Sequence, residues 1–167
     1  TIPDSVTSIG DDAFSGCDSL TSITIPNSVT EIGDWAFSNC SSLARVTIPD
    51  GVTSIGENVF WYCSSLTDIS IPNALTGITR YAFNYCTGVQ SITIPQNITS
   101  IEYCAFNGCE NLSKVYCLPT TPPNIEDYAF NNNAVDRKIY VPTASVDAYK
   151  SAEYWSDYAS AIEGYDF

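Results

Sequence analysis

The chain contains no histidine and no methionine, and only six lysines and arginines stand against 19 aspartates and glutamates, for a formal net charge of −13 over 167 residues. Without histidine, the commonest general base and metal ligand is missing. The acidic balance repels a nucleic-acid duplex and an anionic membrane surface, which excludes nucleic acid as a partner. No apolar run approaches the ~20 residues of a membrane helix, so no membrane insertion is expected. A Gly-rich phosphate loop, a nucleophile elbow and paired carboxylates outside turn positions are also lacking, and the sequence reads as no enzyme, with no cofactor and no metal. The absence of methionine and of a leader segment reads as part of a longer chain, monomeric as a fragment.

What is there is a repeat. "SIGDDAFSGC" (8–17) returns as "EIGDWAFSNC" (31–40), "SIGENVFWYC" (54–63) and "GITRYAFNYC" (77–86). Phe14, Phe37, Phe60, Phe83, Phe106 and Phe130 follow at steps of 23, 23, 23, 23 and 24 residues, and Ile-Pro pairs recur at 2–3, 25–26, 48–49, 71–72 and 94–95. Further apolar columns keep the step, among them Leu20, Leu43, Leu66, Val89 and Leu112. In one unit, the alternation Ser22-Ile23-Thr24-Ile25 reads as a short strand with the isoleucines inward. Pro26 ends it, having no N–H for a ladder. "VTEIG" supplies a strand fragment with Val29 and Ile32 inward. Gly33-Asp34 then suggests one helical or 3₁₀ turn with the Asp as cap, before Phe37 and Cys40 turn inward. One such unit cannot bury its apolar side, but stacked units can, each touching only its neighbours.

These residues carry a resemblance. "LTSITIPNSVTEIGDWAFSNCSS" resembles the Treponema pallidum-type leucine-rich repeat of the BspA-like family, over residues 1–133. The resemblance implies a leucine-rich repeat solenoid, a right-handed coil with one parallel β-sheet, short strand or 3₁₀ turns opposite, and a C-terminal helical cap. The array is expected over 1–142 in about six coils, with its N-terminal end uncapped, and the cap over 143–167. The segment "VPTASVDAYKSAEYW" is similar to the end of bacterial members. Within it Thr143 or Ser145 is expected to cap a helix whose Val146, Tyr149 and Ala152 share a face, with Trp155 beyond. "KIYVP" (138–142) is read as the last strand, and Thr120–Asn124 as a bulged loop.

Three sets of residues are candidates for chemistry. Cys17, Cys40, Cys63, Cys86 and Cys109 form one column, with Cys104 and Cys117 outside it. Zinc needs converging ligands, and five in-register side chains point the same way rather than at one another, so the column reads as buried free thiols, in the place that Asn or Cys takes in related repeats. The outward strand positions Arg45, Asp68, Lys114, Tyr116, Lys138 and Tyr140 form a candidate partner face. It becomes charged and aromatic towards the C-terminal end, where a plain solvated sheet would stay Ser/Thr-rich. Trp35, Trp61, Tyr62, Tyr81, Tyr85 and Tyr103, with Tyr128, form a candidate aromatic ridge, suited either to a protein or glycan ligand or to mutual stacking. Asp11, Asp12, Asp34, Glu57, Glu126 and Asp127 read as turn caps rather than a calcium site. The glycosylation triplets at Asn39, Asn97 and Asn111 matter only in a eukaryotic secretory host.

The family is found mainly on bacterial cell surfaces or secreted, and is associated with adhesion. The resemblance therefore implies an extracellular or cell-surface binding module for a protein or glycan partner. The alternative is a structural spacer or stalk within a longer surface protein.

Overall fold

The Ser/Thr–Ile alternations and Ile-Pro steps fold into strands too short to stand alone. The computed structural model describes residues 2–167; Thr1, the first residue of the expected array, lies outside the described residues. In chain order the strands are β1 (Ser8–Ile9), β2 (Ser22–Thr24), β3 (Glu31–Ile32), β4 (Arg45–Thr47), β5 (Ser54–Ile55), β6 (Asp68–Ser70), β7 (Gly77–Ile78), β8 (Ser91–Ile94), β9 (Ser100–Ile101), β10 (Lys114–Cys117), β11 (Asn124–Ile125), β12 (Lys138–Pro142) and β13 (Ile162–Tyr165). Each of six coils supplies two of the first twelve, one on either side of its Phe turn. Pairing is parallel and advances by one repeat, as in Ser22 to Arg45, Arg45 to Asp68 and Lys114 to Lys138.

The second strands of the coils form the expected strand face. The first strands, read from sequence as fragments, build a ladder of their own, β1–β3–β5 and β7–β9–β11. The helical turn expected after Gly33 is instead a run of turns. The acid there serves the next coil rather than its own: the Asp34 N–H donates to Asp11 Oδ1 at 2.9 Å, and the Glu57 N–H to Asp34 Oδ1 at 2.8 Å. Carboxylates thereby extend the backbone ladder through the turns.

The core is one continuous stack. Six Phe rings lie face to face with centroids 5.2 to 5.5 Å apart. The Leu, Val and Ile columns around them are buried from the second coil onward with the exception of Ile69, while Phe14 and Leu20 in the first coil are only half-buried. Burial of this apolar surface, at about 25 cal/mol per Å², is the main stabilising term.

One joint differs. Between coils three and four both ladders stop: β5 does not pair with β7, nor β6 with β8. Thr53 and Thr99 donate their N–H groups to Thr30 and Thr76 of the coil before, whereas Thr76 has no such bond to coil three among the described residues. The Phe-turn side of this joint stays closed, with Asn58, Phe60 and Tyr62 donating to Arg80, Ala82 and Asn84 at 2.9 to 3.0 Å. The Phe60–Phe83 pair has the widest spacing and tilt of the stack, 5.5 Å and 9°, and Ile69 on the strand side is half-buried where Val46 and Ile92 are buried. The coils therefore fan open on the strand side. Two glycines, Gly77 in β7 and Gly88 ahead of β8, sit in coil four. A glycine inside a strand weakens it, and at Gly88 a Cβ would meet the Leu66 carbonyl oxygen at 2.7 Å, so the coils touch closely there before they part.

The C-terminal segment closes the stack. A 3₁₀ turn (Thr143–Ser145), a helix α1 (Val146–Ser151) and a second 3₁₀ segment (Trp155–Ala161) lead into β13. The expected shared face of Val146, Tyr149 and Ala152 does pack on the core, and Trp155 is buried. Two expectations are corrected. "KIYVP" is not the last strand, because β13 pairs with β12 and adds an edge to the strand face, so the cap is not wholly helical. Neither Thr143 nor Ser145 caps the helix through its side chain; Ser145 Oγ instead donates to the Thr120 carbonyl at 2.7 Å.

The cap copies what a seventh coil would supply. Elsewhere a Phe N–H donates to the coil after it, as Phe106 does to Ala129; the Phe130 N–H meets the Tyr158 hydroxyl instead. The Arg137 guanidinium donates to the Phe130 carbonyl, a position that a column thiol serves in other coils. Tyr149 and Trp155 donate to the carbonyls of Pro119 and Pro123, both at 2.8 Å, and Trp155 and Tyr158 cover the last Phe ring.

Candidate functional site

The cysteine column is structural, and its hydrogen bonds show how. From the second coil to the fifth, each thiol of the column points into the core from the turn after its Phe and reaches back 26 residues to a carbonyl of the preceding coil. Cys40, Cys63, Cys86 and Cys109 donate to the carbonyls of Phe14, Phe37, Phe60 and Phe83 at 3.1 to 3.2 Å. Asn133, in the same column of the sixth coil, donates to the Phe106 carbonyl at 2.8 Å. All seven cysteines are free thiols. Burial pushes Cys40 up to about 11, and Cys63 and Cys109 up to about 12, and raises Cys86 as well. A thiol so placed stays protonated and unreactive. Cys17 departs from the expectation that the whole column is buried: it is exposed, with no described coil before it whose carbonyl could receive it.

The candidate partner face divides into two groups. Arg45 and Asp68 lie opposite each other on β4 and β6, 4.0 Å apart and largely exposed, an ion pair worth little in water. Two coils further on, Tyr116 and Tyr140 stack at 5.1 Å. Lys138 pairs with Glu163 on β13, and Lys114 is exposed beside them. The ring of Tyr165 meets both tyrosines edge-on, 5.8 Å from Tyr116 and 5.5 Å from Tyr140, and Phe167 lies 5.1 Å beyond. Tyr165, Phe167 and Glu163 escape a sequence reading that takes the tail as helix. Their signal was the alternation Ile162-Glu163-Gly164-Tyr165, which continues the inward and outward columns.

The aromatic ridge also divides. Trp35, Trp61, Tyr62 and Tyr85 form one run, with centroids at 5.8, 4.9 and 5.0 Å. Tyr81, Tyr103 and Tyr128 form another, at 5.5 and 5.9 Å, with Arg80 over Tyr103. Five of the seven occupy left-handed backbone, Trp35, Tyr62, Tyr81, Tyr85 and Tyr128, with φ from 55 to 61°. In the same two columns other coils carry Asp12, Gly16, Asn39, Asn58, Gly108 and Asn132, residues that adopt that conformation at less cost, and once Cys104. Mutual packing of the rings offsets the difference. One contact has a particular place: Trp61 Nε1 donates to Asn84 Oδ1 at 3.1 Å, across the joint where both ladders stop.

Two grooves flank the loop Leu118–Asn124, one where it meets the cap and the other on the side of Gln96–Thr99. One, of about 640 Å³, is bounded by Gln96, Leu118, Thr120, Pro142, Tyr165 and Phe167 among others. The other, of about 460 Å³, runs from Gln96 under the loop Thr120–Pro123. Among the described residues no group of His, Cys, Asp or Glu converges as for a metal ion, and no helix is long and apolar enough to cross a membrane.

A family model, the BspA type leucine rich repeat region, matches residues 1–113 and 76–155, in six copies. A leucine rich cell surface protein of Faecalibacterium prausnitzii superposes with a TM-score of 0.66 at 31% identity, over 87% of this chain and 36% of that one. A leucine-rich repeat protein of Bacteroides ovatus gives 0.59 at 27% identity, over 83% and 48%. The chain thus spans less than half the length of either. A leucine rich repeat protein of T. pallidum shares the fold at 23% identity and a TM-score of 0.58, over 96% and 79%. No curated protein matches the chain.

Proposed function

Because the chain belongs to the BspA-type leucine-rich repeat family, we propose that it is a non-catalytic binding module, working at a bacterial cell surface or after secretion, that engages a protein or glycan through the C-terminal end of its strand face. The observation that carries this is the cluster of Tyr116, Tyr140, Tyr165 and Phe167, four aromatic side chains gathered on one outward face. Tyr165 and Phe167 are exposed and Tyr116 and Tyr140 half-buried, and a gathering of rings open to water favours a partner that covers them. Lys114 and Lys138 border the cluster in a chain that is otherwise short of cations.

The aromatic ridge supports the second reading, a spacer with no ligand of its own. Its rings pack on one another, and Trp61 ties two coils together. An array of extracellular-matrix proteins and glycans probed with the whole chain separates the two. A binding module gives a reproducible hit that Tyr140→Ser weakens and Trp35→Ala does not; a spacer gives none.

A further inference from the structure

We propose that the groove between the sixth coil and the cap holds an uncharged sugar residue, stacked on Tyr165 and Phe167 and hydrogen-bonded by Gln96 and Thr120. This names the ligand class and the subsite for the binding role above, and rests on that role.

The groove exists because the sixth coil is irregular. Coils one to five pass from strand to Ile-Pro to a tight turn, whereas the sixth runs through "CLPTTPPN" (117–124) and takes one residue more. Its floor lies at the C-terminal ends of β8, β10 and β12, at Gln96, Thr120 and Pro142, and Tyr165 at the end of β13 and Phe167 just beyond it form a wall. Proline fixes the backbone at Pro119, Pro122, Pro123 and Pro142, and Ser145, Tyr149 and Trp155 bind the loop carbonyls from the cap side. A site built this way loses little freedom when it is filled.

Charge selects the ligand. The two grooves share Gln96 and Thr120, and the one charged residue lining them is Asp166, whose Oδ1 accepts from the Thr143 hydroxyl at 2.8 Å. The recess offers an anion no counter-charge, and its single carboxylate is already engaged by Thr143. A cationic partner would find its acids instead around Tyr154, where Asp127, Glu153, Glu126 and Asp157 raise the phenol. Uncharged polar groups remain. Among the described residues the exposed Gln96 amide and the Thr120 hydroxyl make no hydrogen bond, so both keep donors and acceptors for a sugar's neighbouring hydroxyls.

The rings complete the fit. Tyr165 and Phe167 are 45% and 55% exposed, and Tyr165 is braced edge-on by Tyr116 and Tyr140 before any ligand arrives. An aromatic face matches the C–H face of a pyranose, while the rim of hydroxyls stays free to meet Gln96 and Thr120.

The test uses the whole chain on an array carrying uncharged gluco-, manno-, galacto- and xylo-oligosaccharides, sulfated glycans, matrix proteins and proline-rich peptides. The expected hit is an uncharged oligosaccharide whose binding is insensitive to added salt. It weakens about tenfold in Tyr165→Ala and about fivefold in Gln96→Ala, and is unchanged in Trp35→Ala. Matching thermal melts show that the variants fold. Hits confined to sulfated glycans, proteins or proline-rich peptides overturn the sugar site and leave the binding-module reading standing. So does an uncharged hit that Tyr165→Ala leaves intact. Silence across the whole array overturns both.

Discussion

The joint between coils three and four and the joint between coils four and five carry the same columns yet are held differently. At the second, β7–β9 and β8–β10 pair, the Phe turns bond, and Cys109 reaches the Phe83 carbonyl. At the first the turns and Cys86 do the same, but both strand ladders are missing. Side chains stand in: the Thr79 hydroxyl donates to the Gly56 carbonyl at 2.8 Å, Trp61 bonds Asn84, and the Tyr62 and Tyr85 rings meet at 5.0 Å. Periodicity in sequence therefore does not guarantee equal coupling between neighbours. In a one-dimensional array, where stability is a sum of nearest-neighbour terms, an unequal joint decides where cooperativity ends.

The largest test of this comparison deletes the ring at the open joint. Phe60→Ala removes a fully buried side chain and should cost about 3–5 kcal/mol. Phe106→Ala, within paired ladders, should cost a similar amount in one cooperative step. Because the Phe stack is a main link between the two halves, Phe60→Ala should split urea unfolding into two transitions. A single sharp transition in both variants would mean the joint is not special.

A smaller effect comes from alkali. The folded chain holds Cys63 and Cys109 at about 12, above the ordinary thiol value of 9.0. A raised thiol pKa favours the neutral folded form, so this stability is complete below pH 9 and drains as the pH climbs towards 12. Each such thiol should steepen the loss by about 1.4 kcal/mol per pH unit. Denaturant midpoints measured from pH 8.5 to 10.5 should fall less steeply in Cys109→Ala, and Cys86→Ala should flatten them in the same sense at the open joint. Equal slopes in wild type and both variants would contradict a buried column.

Trp61→Phe sharpens the comparison further. It keeps a ring but loses the bond to Asn84, at a cost of about 1 kcal/mol. Trp35→Phe, whose indole N–H makes no hydrogen bond among the described residues, should be close to neutral. The smallest effect runs the other way. Gly77→Ala stiffens β7 and should gain about 0.4–1 kcal/mol, provided the Ser100 hydroxyl, 2.7 Å from the new Cβ, swings aside. Amide exchange at Thr76 should slow in that variant, and exchange as fast as in wild type would show that glycine is not what loosens the joint.

Most of the solenoid was legible because it is written in repeated side chains. The inward Phe, Leu and Ile columns needed only a period, and so did the burial of Cys40 to Cys109. The thiol–carbonyl bond was not legible, since a cysteine column alone does not distinguish a small apolar filler from a donor; Asn133 in that column was the one hint. β13 stayed hidden because Gly164, one of its two inward positions, has no side chain to report. The break between coils three and four depends on how far apart two backbones lie, which Gly77 and Gly88 permit and do not announce. Of the candidate surfaces, the sequence located Tyr116 and Tyr140, but their gathering with Tyr165 and Phe167 depends on a strand that only the folded chain reveals.

The open joint also has a mechanical meaning. A solenoid pulled along its axis carries tension through its coils in series, so the softest link sets where it yields. Here that link is backed on one flank by turns, rings and thiols and is unlaced on the other. Under a pull along the axis the molecule would therefore bend before it breaks, hinging about the Phe turns and parting at β6 and β8. The half that carries the cap would keep its sheet whole while the slack was taken up elsewhere.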